Sequence, residues 1–273
     1  FRETEWLLLS GCGCGLSVEQ EHVDKLPALL SQDELSQESE AYIIGDSIEG
    51  WADAIHRLLE YFFVSGSKKP VFDYSEIRPK GAKIAGRFIA PGPDGLRLSL
   101  DKIRGLLKEA VTAGQRRLSA LQCTDIIAYL ADSVLSGGVR RSALMILFSP
   151  EDKEMVNCKH GDWFSTNPQR ARFNMSAALN RGQVERTVYE YLFEAMRTSG
   201  DPGLYWRDKF GVGCNPCCEI GFFPTDKDGA TGWQVCNLAS INGLACTSEE
   251  EFYKICRCAS TLATVQATYM EFP

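Results

Sequence analysis

Apolar residues recur along this chain with two different periods, and the switches between them mark out the elements. From Ser47 to Phe63, the residues Ile48, Trp51, Ile55, Leu58, Leu59 and Phe62 fall three or four apart. That spacing lays them on one face of an α-helix, with Asp46 or Ser47 placed to cap its first turn. The same reasoning predicts helices over about 99–113, 119–135, 185–199 and 248–265. Shorter apolar runs predict strands at 71–77, 143–148, 173–179, 203–206, 219–223 and 234–238. Residues 5–19 read as strand, tight turn and strand, with Gly11-Cys-Gly-Cys-Gly15 between Trp6–Leu9 and Leu16–Val18. A turn this rich in glycine lets backbone approach a ligand or another strand closely. Residues 20–40 are polar and acidic and are expected at the surface, and Arg78 to Gly95 reads as a Gly/Pro-rich loop. No internal repeat or low-complexity tract interrupts the series.

Strands alternating with long helices predict an α/β fold with mainly parallel pairing. Periodicity does not say whether such a sheet is open or closed. The 273 residues are 44% hydrophobic and 24% charged, ordinary for a globular protein with a large core. A net charge of −7 argues against a nucleic-acid backbone as partner, because phosphate tracking needs a basic face. A single polyphosphate could still be held by a local cluster. No apolar run approaches the roughly 20 residues that span a bilayer, and Trp6–Leu9 is too short and lacks the basic flank of a signal peptide. No membrane partner is expected. The chain begins at Phe1 and stops at Pro273 just after an apolar stretch, so both ends are expected to be cuts through a longer protein. Eleven cysteines, an odd number in a chain this large, read as reduced thiols in a cytoplasmic setting rather than a disulfide framework.

The densest chemistry lies at Asn215-Pro-Cys-Cys-Glu219. Pro216 fixes φ and removes a donor, which makes the segment a shaped loop tip. A carboxylate beside a thiol raises the thiol pKa, the wrong direction for thiolate nucleophilic catalysis. The pair suits chemistry in which sulfur loses and regains a hydrogen atom while the carboxylate moves a proton. Cys214-Asn-Pro-Cys217 also has C-x-x-C spacing, but a thioredoxin-like helix should start there, and Ile220–Pro224 reads as strand instead. For zinc, Cys12-Gly-Cys14 or Cys256-Arg-Cys258 would have to supply the second half, and one-residue gaps fit poorly. His22, His56 and His160 lack ligand spacing, so no metal site is expected.

Taken with Ser136-Gly-Gly-Val-Arg-Arg-Ser142, Gly161–Arg172 and Phe72–Gly81, the loop resembles the finger loop of ribonucleotide reductases. The first two tracts look most like the adenosylcobalamin-dependent (class II) branch, and within it the monomeric ribonucleoside-triphosphate reductases. The resemblance covers most of the chain. It implies one catalytic domain over residues 1–273, truncated at both ends: part of a ten-stranded α/β barrel with a central finger loop, of the ribonucleotide reductase and glycyl-radical-enzyme type. It implies Cys217 as the thiyl-radical position, Glu219 as a shielded general base for the 3′-hydroxyl and Asn215 as a ligand of the ribose hydroxyls. Cys236 matches one member of a redox-active disulfide whose partner cysteine lies upstream of this chain. Gln169, Arg170 and Arg172 match a loop that relays effector identity to the substrate base. The implied cofactor is adenosylcobalamin. The implied partners are a ribonucleotide substrate, a dNTP effector and thioredoxin or another dithiol reductant, acting on a monomer in the cytoplasm of a bacterium or of a phage-infected host. Cys218 departs from the family loop, which usually carries glycine or another residue there. Alternation along an extended loop would turn its thiol away from the side that Cys217 faces. Residues 82–95 also depart from the family. The rival readings are a class I large subunit, whose radical comes from a partner protein, and a non-catalytic zinc or thiol-redox binding module.

Overall fold

The computed structural model describes residues 1–84, 89–134 and 143–268, and the chain divides into two compact units, Phe1–Phe222 and Phe223–Pro273. The first opens with helix α1 (Arg2–Leu9), strand β1 (Cys14–Ser17), the short helix α2 (Gln20–Val23) and strand β2 (Ser39–Ile43). Helix α3 (Ile48–Phe63), strand β3 (Lys69–Asp73), and helices α4 (Asp94–Thr112) and α5 (Ala120–Ser133) follow. Strand β4 (Leu144–Phe148), helices α6 (Lys153–Asn157) and α7 (Trp163–Thr166), a 3-10 turn (Pro168–Arg172) and strand β5 (Asn174–Asn180) come next. Helix α8 (Arg186–Ser199), strand β6 (Gly203–Arg207), and strands β7 (Gly213–Cys214) and β8 (Gly221–Phe222) complete the unit.

Four strands pair in the order β1-β4-β5-β6, all parallel, which fulfils the α/β expectation. Strand β4 is buried at all five positions, as a parallel strand covered on both faces must be. Its side chains alternate between two environments. Leu144, Ile146 and Phe148 join the core that the helices cover. Met145 and Leu147 face the other way and meet Ala178 and Cys214. One face of the sheet therefore packs on helices, and the other receives the segment that carries the cysteine loop. Strands β2 and β3 form a separate parallel pair.

Local signals explain the helix boundaries. The Ser47 hydroxyl accepts from the Gly50 N–H at 2.9 Å to start α3. Ser119 and Gln122 form a reciprocal capping box at the start of α5. The second unit, taken by itself, holds a turn bridged at Thr225 and Thr231 and helix α9 (Glu249–Gln266), capped by Ser248.

The structure departs from the sequence reading in several places. Residues 5–9, expected as strand, belong to α1, which buries Thr4, Glu5 and Leu8. A short apolar run fits either period, and the one-turn spacing of Thr4 and Leu8 decides for helix. Residues 20–40 are not all surface, because Val23, Leu29, Leu30 and Leu35 enter the core. Residues 234–238 form no strand, and Val235 and Leu238 are exposed. The strand expected at 219–223 shrinks to β8. The tract Ser136–Ser142 lies outside the described residues.

Candidate active site

Strands β7 and β8 pair antiparallel, Gly213 with Phe222 and Cys214 with Gly221, and present residues 215–220 as a hairpin tip. Within the tip, the Asn215 N–H donates to the Ile220 carbonyl at 3.3 Å, and the Asn215 Oδ1 accepts from the Ile220 N–H at 3.1 Å. The Cys218 N–H donates to the Asn215 carbonyl at 3.0 Å and closes a tight turn over Pro216 and Cys217. Asn215 is thus a buried brace of the loop as well as a candidate ligand. Its amide oxygen already accepts one hydrogen bond, which leaves a lone pair and the NH2 group to offer a sugar hydroxyl.

Three strands of the sheet hold the hairpin in place. On β6, Tyr205 Oη donates to the Gly213 carbonyl at 2.9 Å, and Arg207 Nη1 donates to the Val212 carbonyl at 3.3 Å. On β5, Asn174 Nδ2 donates to the Pro216 carbonyl at 3.1 Å, one residue from Cys217. On the β1 side, glycine provides clearance. A β-carbon at Gly15 would lie 1.6 Å from the Cys214 carbonyl oxygen, and one at Gly13 would lie 2.8 Å from Pro216 Cγ. The glycine-dense turn read from sequence serves this close approach.

Arg207 is itself fixed by a buried network. Both of its terminal nitrogens bind the Glu19 carboxylate, and Nε donates to Asn180 Oδ1 at 2.7 Å. The two charged side chains are 2% and 6% exposed, so each neutralises the other in a low-dielectric setting. Ser17 Oγ donates to Glu19 at 2.9 Å and lies 2.7 Å from His22 Nδ1. Burial holds His22 below the ordinary imidazole range. The network ties the ends of β1, β5 and β6 to the segment that leads into the hairpin.

At the tip itself, Cys217 and Glu219 are both exposed and Cys218 is half-buried. The exposure of Glu219 differs from the shielded carboxylate expected of a general base. Cys218 turns its sulfur to Cys214 at 3.5 Å and packs against the cluster of Met145, Leu147 and Ala178. Burial, then the neighbouring Cys218 thiol, pushes the Cys214 pKa well above the ordinary range. The thiol beside Cys217 is therefore held against the sheet.

The remaining candidates lie elsewhere. Asp125 of α5 accepts from Gln169 Nε2 at 3.0 Å and from Arg170 Nε and Nη2 at 3.0 and 2.8 Å. Arg170 Nη1 also donates to the Cys158 carbonyl at 2.8 Å, and Arg172 pairs with Asp132. These side chains fasten the 3-10 turn to α5. Cys236 is exposed in the second unit. Among the described residues, no three His, Cys, Asp or Glu side chains converge to hold a metal ion. Sequence reasoning missed Asn174, Tyr205, Arg207 and Glu19, and the paired glycines at 13 and 15 were the one signal that some segment must lie close by.

A parallel α/β sheet thus carries a cysteine hairpin on the face that its helices leave free. No family model matches the chain. It is 31% identical, over 86% of its own length, to an adenosylcobalamin-dependent ribonucleoside-triphosphate reductase of Lactobacillus gasseri, of which it covers 37%. It is 29% identical, over 74% of its length, to a putative enzyme of the same name from Mycobacterium phage D29, covering 33% of it. The crystal structure of a B12-dependent (class II) ribonucleotide reductase superposes with a TM-score of 0.68 at 24% identity, over 81% of this chain and 36% of that one. That likeness shows the fold. The chain is a relative of the class II ribonucleotide reductases, and it spans about a third of the length of the curated relatives it matches.

Proposed function

We propose that the protein reduces ribonucleotides, as triphosphates, to 2′-deoxyribonucleotides by thiyl-radical chemistry centred on Cys217. The observation that supports this most is the seating of the Asn215–Glu219 tip. Asn174, Tyr205 and Arg207 hold a loop whose cysteine faces out, with a carboxylate two residues on. A structural cysteine would be turned inward, as Cys214 is. In this reading the chain is part of a single catalytic domain, a ten-stranded barrel in which the four parallel strands are neighbours.

Cys217 gives its thiol hydrogen atom to the radical source, and the resulting sulfur radical takes the 3′ hydrogen of the ribose. Glu219 accepts the 3′-hydroxyl proton, with bound substrate supplying the shielding that the exposed tip lacks. The Asn215 NH2 group holds the sugar in register. Cys236 and an upstream cysteine deliver two electrons and two protons and close to a disulfide, which thioredoxin or another dithiol reopens. Gln169, Arg170 and Arg172 act as positioning residues. Clamped on α5, they fix the turn through which a dNTP effector is sensed. The radical source would be adenosylcobalamin, which when bound would supply the initial radical by homolysis of its cobalt–carbon bond. The exposed Cys217 fits this role, because a bulky cofactor needs a thiol it can reach. The enzyme works as a monomer in the cytoplasm.

The test is nucleotide reduction by the intact protein with adenosylcobalamin and a dithiol, with no second subunit added. Turnover under those conditions is the expected result. Activity that requires a radical-generating partner would move the protein to the class I enzymes. Stoichiometric zinc without reduction would replace the enzyme reading with a thiol-rich binding module.

A further inference from the structure

Cys214 and Cys218 flank Cys217 in the hairpin, and their sulfurs lie 3.5 Å apart. Both are free thiols packed on Met145, Leu147 and Ala178, beside Tyr205. Cys218 is the one non-glycine residue with positive φ among the described residues, at 66°. A residue with a β-carbon adopts that conformation at a cost of order 1 kcal/mol. Here it accompanies the meeting of the Cys218 sulfur with Cys214.

We propose that Cys214 and Cys218 form a reversible disulfide inside the loop that carries Cys217, an oxidative modification site that takes hydrogen peroxide or a small-molecule disulfide as oxidant. The half-buried Cys218 is struck first. Peroxide converts its thiolate to a sulfenic acid, with one oxygen leaving as water. The Cys214 sulfur then attacks that sulfur, its proton leaves with the departing hydroxide as a second water, and the S–S bond closes. Two thiols have lost two electrons and two protons to one peroxide. A small disulfide achieves the same by exchange, releasing its two halves as thiols. Burial keeps Cys214 protonated and shields it from direct attack, so it reacts second and gives up its proton as it attacks the adjacent sulfur. To bond, the sulfurs must close from 3.5 Å to roughly 2.05 Å. A dithiol reverses the bond.

The effect on turnover rests on the reductase reading. Closing the pair drags the residue adjacent to Cys217, and a misplacement of about 1 Å at a reacting group costs roughly 10²-fold in rate. The oxidised loop is therefore switched off until reduced.

The experiment maps the pairing in the intact protein. After peroxide treatment, free thiols are blocked with iodoacetamide, disulfides are reduced, and the released thiols are labelled with N-ethylmaleimide. The tryptic peptide between Lys209 and Lys227 carries Cys214, Cys217 and Cys218 together, so one fragmentation spectrum assigns all three labels. The expected result is the second label on Cys214 and Cys218 and the first on Cys217. The second label on Cys217, or its absence from Cys214, overturns the proposal. Mapping the wild-type protein needs neither a variant that folds nor any turnover. Correct pairing in a protein that never reduces nucleotides would instead overturn the functional reading and leave the disulfide standing. In the turnover arm, peroxide should lower wild-type activity by about 10²-fold, while Cys214→Ser or Cys218→Ser resists it. Equal inactivation of both variants would refute the switch.

Discussion

Replacing Gly15 by alanine tests whether the hairpin's position, rather than its mere presence, makes the site. The added methyl would sit 1.6 Å from the Cys214 carbonyl oxygen, a backbone atom that no rotamer change can move aside. The carbonyl would have to retreat by about 1.8 Å or more to reach ordinary contact. Asn174, Tyr205 and Arg207 hold the same hairpin from the other strands, so the retreat strains those hydrogen bonds or bends β1. Overpacking of this kind costs about 1–3 kcal/mol of stability. A shift above 1 Å at the loop carrying Cys217 should lower turnover by about 10²-fold or more. Gly13→Ala meets the ring of Pro216 at 2.8 Å, with the nearest backbone atom, the Ala143 carbonyl oxygen, at 3.8 Å, and should be milder. Gly105→Ala meets nothing within 4 Å in the middle of α4 and should be neutral or slightly stabilising. The assay is steady-state nucleotide reduction beside thermal unfolding of the three variants. Wild-type turnover in Gly15→Ala would show that the hairpin is not seated on β1 as described, and a ranking that puts Gly105→Ala lowest would refute the steric reasoning.

Glu19→Gln should leave the buried Arg207 without its counter-charge and cost about 3–5 kcal/mol, read as a lowered denaturant midpoint. A change below about 1 kcal/mol would mean that the pair is solvated. Burial pushes Glu5 up to about 8, only Ser133 donates to it at 2.6 Å, and its Oε2 has no hydrogen-bond partner among the described residues. The folded protein therefore holds a proton that the unfolded chain releases near its ordinary carboxylate pKa. Stability is then full below that value and lost as pH rises toward 8. Glu5→Gln should flatten that decline in melting temperature between pH 5 and pH 8, and parallel profiles for the two proteins would rule the mechanism out. Cys236→Ser should lose multiple turnover with thioredoxin as reductant while retaining hydrogen exchange from adenosylcobalamin. Normal steady-state activity would remove Cys236 from the redox pair.

What the sequence made legible was local. The cap of α3, placed at Asp46 or Ser47 and found at Ser47, and the all-apolar run of β4 are each written in a few adjacent residues, and each appears in the structure where its chemistry puts it. The loop tip at Pro216 was equally readable. The α1 segment was misread because Leu7–Leu9 satisfies both periods, and the burial of one helix face depends on distant partners. Leu29, Leu30 and Leu35 are core residues in a polar stretch, where apolar positions too sparse to show a period are still drawn inward by the surrounding helices. The supports of the site were illegible for the same reason. Glu19 and Arg207 are 188 residues apart, and nothing near either one predicts the other. The polar character of Gln169 and Arg170 read as available donors, yet Asp125 consumes them, because a buried carboxylate on α5 must be neutralised.

The central claim is that the exposed Cys217 sulfur carries the radical, and the Cys217→Ser protein tests it most directly. Serine keeps the size and polarity of the side chain at an exposed position, so the fold and the hairpin should survive, as circular dichroism can verify. An O–H bond is too strong to yield its hydrogen atom as the thiol does, so the variant should show no nucleotide reduction with adenosylcobalamin and a dithiol, and no cofactor-linked hydrogen exchange. The wild-type protein should show both in parallel assays. Substantial turnover by the folded serine variant would contradict the account.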